Sequence, residues 1–116
     1  MKEFWDERYK SIEFIYGVKP NEFLKNYIDK TSSGKLLLPG DGEGRNAVYT
    51  AKLGWDVTAF DYSTSAKEKA LLLAKENEVK IKYLTTDASS FRSEEKFDLI
   101  SIIFLILKII AKIILL

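Results

Sequence analysis

The stretch Lys35-Leu36-Leu37-Leu38-Pro39-Gly40-Asp41-Gly42-Glu43-Gly44-Arg45-Asn46-Ala47-Val48 decides the fold class of this chain. Lys35 to Pro39 is a short apolar run that reads as a strand. Glycines follow at 40, 42 and 44, and Arg45 to Leu53 reads as a helix closed by Gly54. A ligand lying across a strand end needs backbone without Cβ atoms in its way. The helix that follows turns free N–H groups toward the same space, and in open α/β sheets that crevice is where ligands bind. A plain strand-to-helix turn is served by one glycine; three at alternate positions suit it poorly.

Outward from this unit the pattern repeats. Trp55 to Phe60 reads as a second strand ending at Asp61, and Thr64 or Ser65 as the cap of a helix running to about Asn77. Ala70, Leu71, Leu73 and Ala74 would form that helix's inner face. Val79 to Leu84 reads as a third strand, and a fourth begins within Phe97–Ile103. Upstream, residues 3–10 suit a short amphipathic helix, and Tyr16-Gly17-Val18-Lys19-Pro20 is a breaker cluster. Asn21 then caps a helix to about residue 31, with Phe23, Leu24, Tyr27 and Ile28 at helical spacing and Thr31-Ser32-Ser33-Gly34 ending it. Alternating strands and helices imply an α/β fold with a parallel sheet and right-handed crossovers.

Composition narrows the chemistry. With 116 residues the chain has room for one small domain. The formal net charge of +1, with lysines interleaved among acids, gives no basic face for nucleic acid. There is no cysteine, which excludes disulfides, zinc–thiolate sites and a cysteine nucleophile. There is no histidine, which removes the commonest metal ligand and general base, so no metal site is expected. The opening Met1-Lys2-Glu3-Phe4-Trp5-Asp6 is charged and unlike a secretory signal, so a cytoplasmic protein is expected.

Asp61 adds a second element to the glycine loop. It follows the second strand about 20 residues beyond the glycines, where an acid accepts both hydroxyls of an adenosine ribose. It also suits the N-terminal acid of a helix ahead of Ser63-Thr64-Ser65. Together with the glycines, ribose binding is the favoured role. Gly42-Glu43-Gly44-Arg45-Asn46-Ala47 matches the dinucleotide pattern G-x-G-x-x-G/A, so on pattern alone an NAD domain stays open. The flanking residues decide between the two.

Gly40 to Val48, then Ala51-Lys52-Leu53-Gly54, then Asp56-Val57-Thr58-Ala59-Phe60-Asp61 resemble the tellurite-resistance and thiopurine-type branch of class I S-adenosylmethionine (SAM) dependent methyltransferases. Phe4-Trp5-Asp6-Glu7-Arg8-Tyr9, Tyr16-Gly17 and Pro20-Asn21-Glu22-Phe23-Leu24 look like the N-terminal cover of the same group, so the resemblance runs from residue 4 to about 103. It implies a Rossmann-like sheet with flanking helices, the N-terminal part of the class I fold, with SAM as cofactor. The loop Gly40, Asp41, Gly42, Gly44, Arg45 and Asn46 would pass under the methionine part of SAM. Asp61 would hold the ribose and Tyr62 would pack beside the adenine. Thr86-Asp87-Ala88 resembles the segment that meets the adenine amine, and equally suits a polar turn. Arg8, Tyr9, Tyr16 and Gly17 would close over the cofactor, with core or lid packing an equal role for the two tyrosines. The chain departs from the family in one place. Many members carry an acid two residues before the first glycine; here that position is Leu38, and Asp41 would take the polar role toward the methionine.

The resemblance further implies methyl transfer to a small molecule, with a thiol or chalcogen among the acceptors and no identifiable general base. Two alternatives stand beside it: an NAD-binding oxidoreductase fragment and a non-catalytic SAM-binding module. The domain divides into a helical cover over 1–33, the sheet, and an atypical tail over 104–116. Residues 99–116 hold only Ser101, Lys108 and Lys112 as polar positions, and three further strands of the class I fold are absent. The tail reads as an amphipathic helix, as a membrane segment that two lysines argue against, or as the product of a lost reading frame, the favoured reading. A chain truncated in this way is expected to bind SAM weakly, to self-associate through its apolar tail and to show little turnover.

Overall fold

The sheet is built on β1 (Lys35–Pro39), whose Leu36, Leu37 and Leu38 are all buried, as a central parallel strand covered on both faces requires. A computed structural model of the chain describes residues 2, 3, 6 and 17–102; the expectations placed on Phe4, Trp5, Arg8, Tyr9 and Tyr16, and on the tail beyond 102, lie outside them. β2 (Asp56–Asp61), β3 (Lys82–Thr85) and β4 (Leu99–Ile100) complete a parallel sheet of order β3-β2-β1-β4. This is the α/β architecture that the alternation of elements implied. β1 and β2 run in register from Lys35↔Asp56 to Pro39↔Phe60, so their carboxyl ends lie side by side.

Among the residues 17–102, one helix precedes β1 and two connect successive strands. In α1 (Glu22–Ile28) the Asn21 side chain accepts the Leu24 N–H, and the turn closes where the Thr31 hydroxyl donates to the Tyr27 carbonyl. Only Leu24 and Ile28 face the core; Phe23 and Tyr27, at the same helical spacing, point outward, at 72% and 50% exposure. α2 (Arg45–Lys52) ends on Gly54, as expected. Its N–H donates to Ala51 O and that of Trp55 to Thr50 O, with Gly54 left-handed at φ 93°.

α3 (Thr64–Glu76) corrects two expectations. Its cap is Ser63, whose Oγ accepts the Ala66 N–H, one residue before the predicted Thr64 or Ser65. Its inner face is Ala66, Ala70, Leu73 and Ala74, whereas Leu71 is on the outside. The small residues have a purpose. A Cβ added to Gly44 would lie 2.6 Å from the Ala70 Cβ and 2.7 Å from its Cα, so the start of α2 rests directly on α3. β3 begins at Lys82 and not at Val79, because the C-terminus of α3 consumes the intervening residues. Glu78, at φ 56°, donates its N–H to Lys75 O, and Val79 donates to Ala74 O.

Two stability changes follow. Gly44→Ala is expected to lower stability by about 2–4 kcal/mol, since it combines a left-handed residue with an overpacked seam. An unchanged urea midpoint would mean that the α2–α3 contact is loose. Glu78→Gly, which relieves a non-glycine residue in the left-handed region, is expected to raise stability by about 0.5–1 kcal/mol in the same measurement.

Candidate functional site

The parallel sheet brings the ends of β1, β2 and β3 to one edge, and the polar groups singled out in the sequence gather there. Beyond β1 the ladder continues for one more step, the Asp41 N–H donating to Phe60 O at 3.1 Å. The backbone then turns through Gly42 in the left-handed region at φ 69°. The Gly42 N–H donates to Asp61 Oδ2 at 3.0 Å, and the Ser63 N–H donates to Asp61 Oδ1 at 3.2 Å. Both oxygens of a buried carboxylate, 2% exposed, are therefore oriented by backbone. The local bond to Ser63 is the helix-approach role considered for Asp61; the bond to Gly42 joins it to the loop.

The other predicted residues separate into two groups. Asp41 is buried and faces a small cleft bounded by Asn21, Leu38, Asn46 and Ser101. Asn46 is also buried, and its side-chain carbonyl accepts the Asn21 N–H at 2.7 Å, so it docks the start of α1 beside the loop. Arg45 reaches outward, one guanidinium N–H donating to Lys19 O at 3.3 Å. Tyr62 is half-buried next to Asp61. Asp87 and Ala88 are exposed; the Thr86 N–H donating to Asp61 O at 2.9 Å keeps them near the Asp61 turn. The Asp87 carboxylate accepts from the Ser89 hydroxyl and the Ser90 N–H, both at 2.8 Å. Those bonds hold it below the usual carboxylate range. Gly44 lies against Ala70 of α3, where a Cβ would not fit. Arg8 and Tyr16 lie outside the described residues.

Of the N-terminal segment, Asp6 is described. The Ser63 hydroxyl donates to its Oδ1 at 2.6 Å, two residues past Asp61, and Lys2 pairs with its Oδ2 at 2.6 Å. Sequence reasoning missed three further residues. The Tyr83 hydroxyl donates to the Gly42 carbonyl. Glu43 pairs with Lys69 of α3 at 2.8 Å, their side chains 2% and 11% exposed. A charged residue inside a tight glycine loop was the available signal, since a carboxylate buried there requires a partner. Among the described residues no cluster of carboxylates is arranged to hold a metal ion.

Comparison with known proteins gives one family. A model described as a methyltransferase domain matches residues 37–113. The chain is 34% identical over 79 residues to the ubiquinone biosynthesis O-methyltransferase of Rickettsia canadensis (strain McKiel), covering 68% of this chain and 34% of that protein. It thus spans about a third of the length of the curated relatives it matches. A SAM-dependent methyltransferase from Thiobacillus denitrificans, solved with S-adenosyl-L-homocysteine, superposes at TM-score 0.65 with 26% identity, over 79% of this chain and 40% of that one. TehB from Haemophilus influenzae, at 20% identity, shares the fold at TM-score 0.65 over 88% of this chain and 35% of its own.

The Asp6 contact carries a pH dependence. Burial pushes its carboxyl up, but hydrogen bonds from Lys2 and Ser63 outweigh it and hold it below the usual range. A lowered folded value stabilises the fold above the unfolded carboxylate pKa, and that stabilisation is lost as pH falls through the lowered value. Asp6→Asn is expected to flatten the acid limb of stability between about pH 5 and pH 2. Parallel pH profiles for parent and variant would show that the contact does not form.

Proposed function

Because this chain belongs to the methyltransferase-domain family, we propose that it binds SAM at the carboxyl edge of its sheet and presents the methyl group to a small-molecule acceptor. The observation that carries the reading is the buried Asp61 carboxylate, fixed by the Gly42 and Ser63 N–H groups beside the glycine loop. A carboxylate so oriented is suited to a vicinal diol, the ribose. α2 starts on Gly44 with no side-chain cap, in keeping with a helix N-terminus that faces a ligand.

In this reading Gly40, Gly42 and the flanking Asp41 bind the methionine end, Asp41 toward its amino group. Tyr62 packs beside the adenine, and Asp87 and Ala88 meet its edge. Arg45 and Asn46 hold the loop's exit, Asn46 through Asn21. Arg8 and Tyr16 belong to the cover over the cofactor. SAM supplies a sulfonium-activated methyl group. The chain's part is to bind, align and exclude water. An acceptor nucleophile that is already unprotonated, such as a thiolate or chalcogen anion, needs no proton removed by the chain.

Electrostatics favour SAM over NAD. Asp41, Glu43 and Asp61 are all buried around the loop, with Lys69 set against Glu43. A dinucleotide would bring the two negative charges of its pyrophosphate to this loop, whereas SAM brings a cation. For the acceptor, the resemblance to the tellurite-resistance and thiopurine-type branch supports a thiol or chalcogen. An oxygen acceptor is the second reading, favoured by the identity to a ubiquinone biosynthesis O-methyltransferase.

Calorimetric titration tests the cofactor. S-Adenosylhomocysteine is expected to bind saturably and NAD not to, and Asp61→Ala to weaken binding by about 1–3 kcal/mol. NAD binding in preference to S-adenosylhomocysteine would overturn the assignment. Transfer of labelled methyl from SAM to thiol or phenol acceptors then separates an enzyme from a binding module.

A further inference from the structure

We infer that Tyr83, backed by the Glu43–Lys69 pair, is a positioning residue that holds the glycine loop in its ligand-ready shape. The inference rests on the reading of that loop as the cofactor cradle. None of the three residues belongs to the proposed contact set; each acts through the loop backbone or beside it.

Gly42 is gripped at both of its polar groups. Its N–H donates to Asp61 at the end of β2, and its carbonyl accepts from the Tyr83 hydroxyl on β3. The next residue, Glu43, is anchored to α3 by Lys69 at 2.8 Å. Two consecutive residues are thus tied to three different elements, which fixes both peptide planes flanking Gly42. Core packing alone does not account for Tyr83. Its ring is buried, 5% exposed, and paired in register with Ala59, a place where phenylalanine would pack as well. The hydroxyl is the difference, and a buried hydroxyl requires a partner. Here that partner is the carbonyl of a left-handed glycine, φ 69°, in the loop that would meet the ligand. A loop that reaches its binding shape only part of the time binds with an affinity reduced by that fraction. A tether on the loop therefore acts on affinity as well as on stability.

The test measures S-adenosylhomocysteine dissociation constants well below the unfolding temperature, with amide exchange at Gly42 and Glu43 followed in the unliganded chain. Tyr83→Phe is expected to raise the dissociation constant about tenfold, the worth of one hydrogen bond, and to speed exchange at the loop. Tyr49→Phe is the control and is expected to leave the constant unchanged, because its hydroxyl meets Asp29 on the α1–α2 side. Lys69→Met is expected to weaken binding, and Lys69→Arg, which keeps the charge, to restore most of it. A folded Tyr83→Phe chain with lowered thermal stability but parental affinity would overturn the inference while leaving the cofactor reading intact. A parent chain that fails to bind S-adenosylhomocysteine would overturn both. If Tyr83→Phe does not fold, the lysine pair decides: equal affinity in the Met and Arg variants overturns the inference.

Discussion

One carboxylate holds the functional edge of this molecule together. Asp61 terminates β2, yet it accepts the N–H of Gly42, 19 residues earlier in the chain and beyond the end of β1. That bond forms only if β1 and β2 are parallel and in the register that sets Pro39 against Phe60. It also requires that Gly42 adopt a conformation most side chains avoid. Sheet register, glycine placement and acid placement are thus one requirement expressed three times. The remaining contacts of the edge, from the Thr86 N–H on Asp61 O to the Ser63 hydroxyl on Asp6, assemble around that group.

The second constraint is closeness. The Gly44–Ala70 contact leaves no room for even one methyl group, and Ala66 and Ala74 continue the same small-residue face of α3. With α3 so near, Lys69 has only a short reach to Glu43, and the pair is sheltered from water. Sheltered charges act more strongly on each other than exposed ones. The bridges of Glu95 with Lys82 and Lys35, at 3.1 and 3.4 Å on the open surface, contribute far less.

Several elements were legible from a local rule alone. Lys35–Pro39 as a strand, Asn21 as a cap and Gly54 as a helix stop each depend on residues within a turn of one another. The displaced boundaries also have local causes. Ser63 captures the α3 cap because its hydroxyl reaches the Ala66 N–H, and Glu78 takes the left-handed position that glycine takes after α2. What stayed hidden was long-range pairing. Phe23 and Tyr27 share the spacing of Leu24 and Ile28, and only the docked sheet decides which pair is covered. Tyr83 lies within the stretch Val79 to Leu84 that reads as a strand, and its hydroxyl acquired meaning only when the fold brought it within reach of a residue 41 positions away.

The turn that closes α2 has a consequence for how this gene can vary in length. Gly54 and Trp55 carry the chain from the helix to the start of β2 with no slack residue, the Trp55 N–H still bonded to Thr50 O and the Asp56 N–H already bonded to Gly34 O. Side chains alternate along a strand, so a codon gained or lost there that slid the register of β2 by one would turn Asp61 to the opposite face of the sheet. The segment between Thr85 and Leu99 contains no helix or strand; the Thr86 N–H on Asp61 O and the Asp98 N–H on Lys35 O tie its two ends to the sheet, and most of the bonds between them are internal. A change in length is therefore expected to be felt most at the helix-to-strand joint and to be absorbed more readily in the loop beyond Ala88.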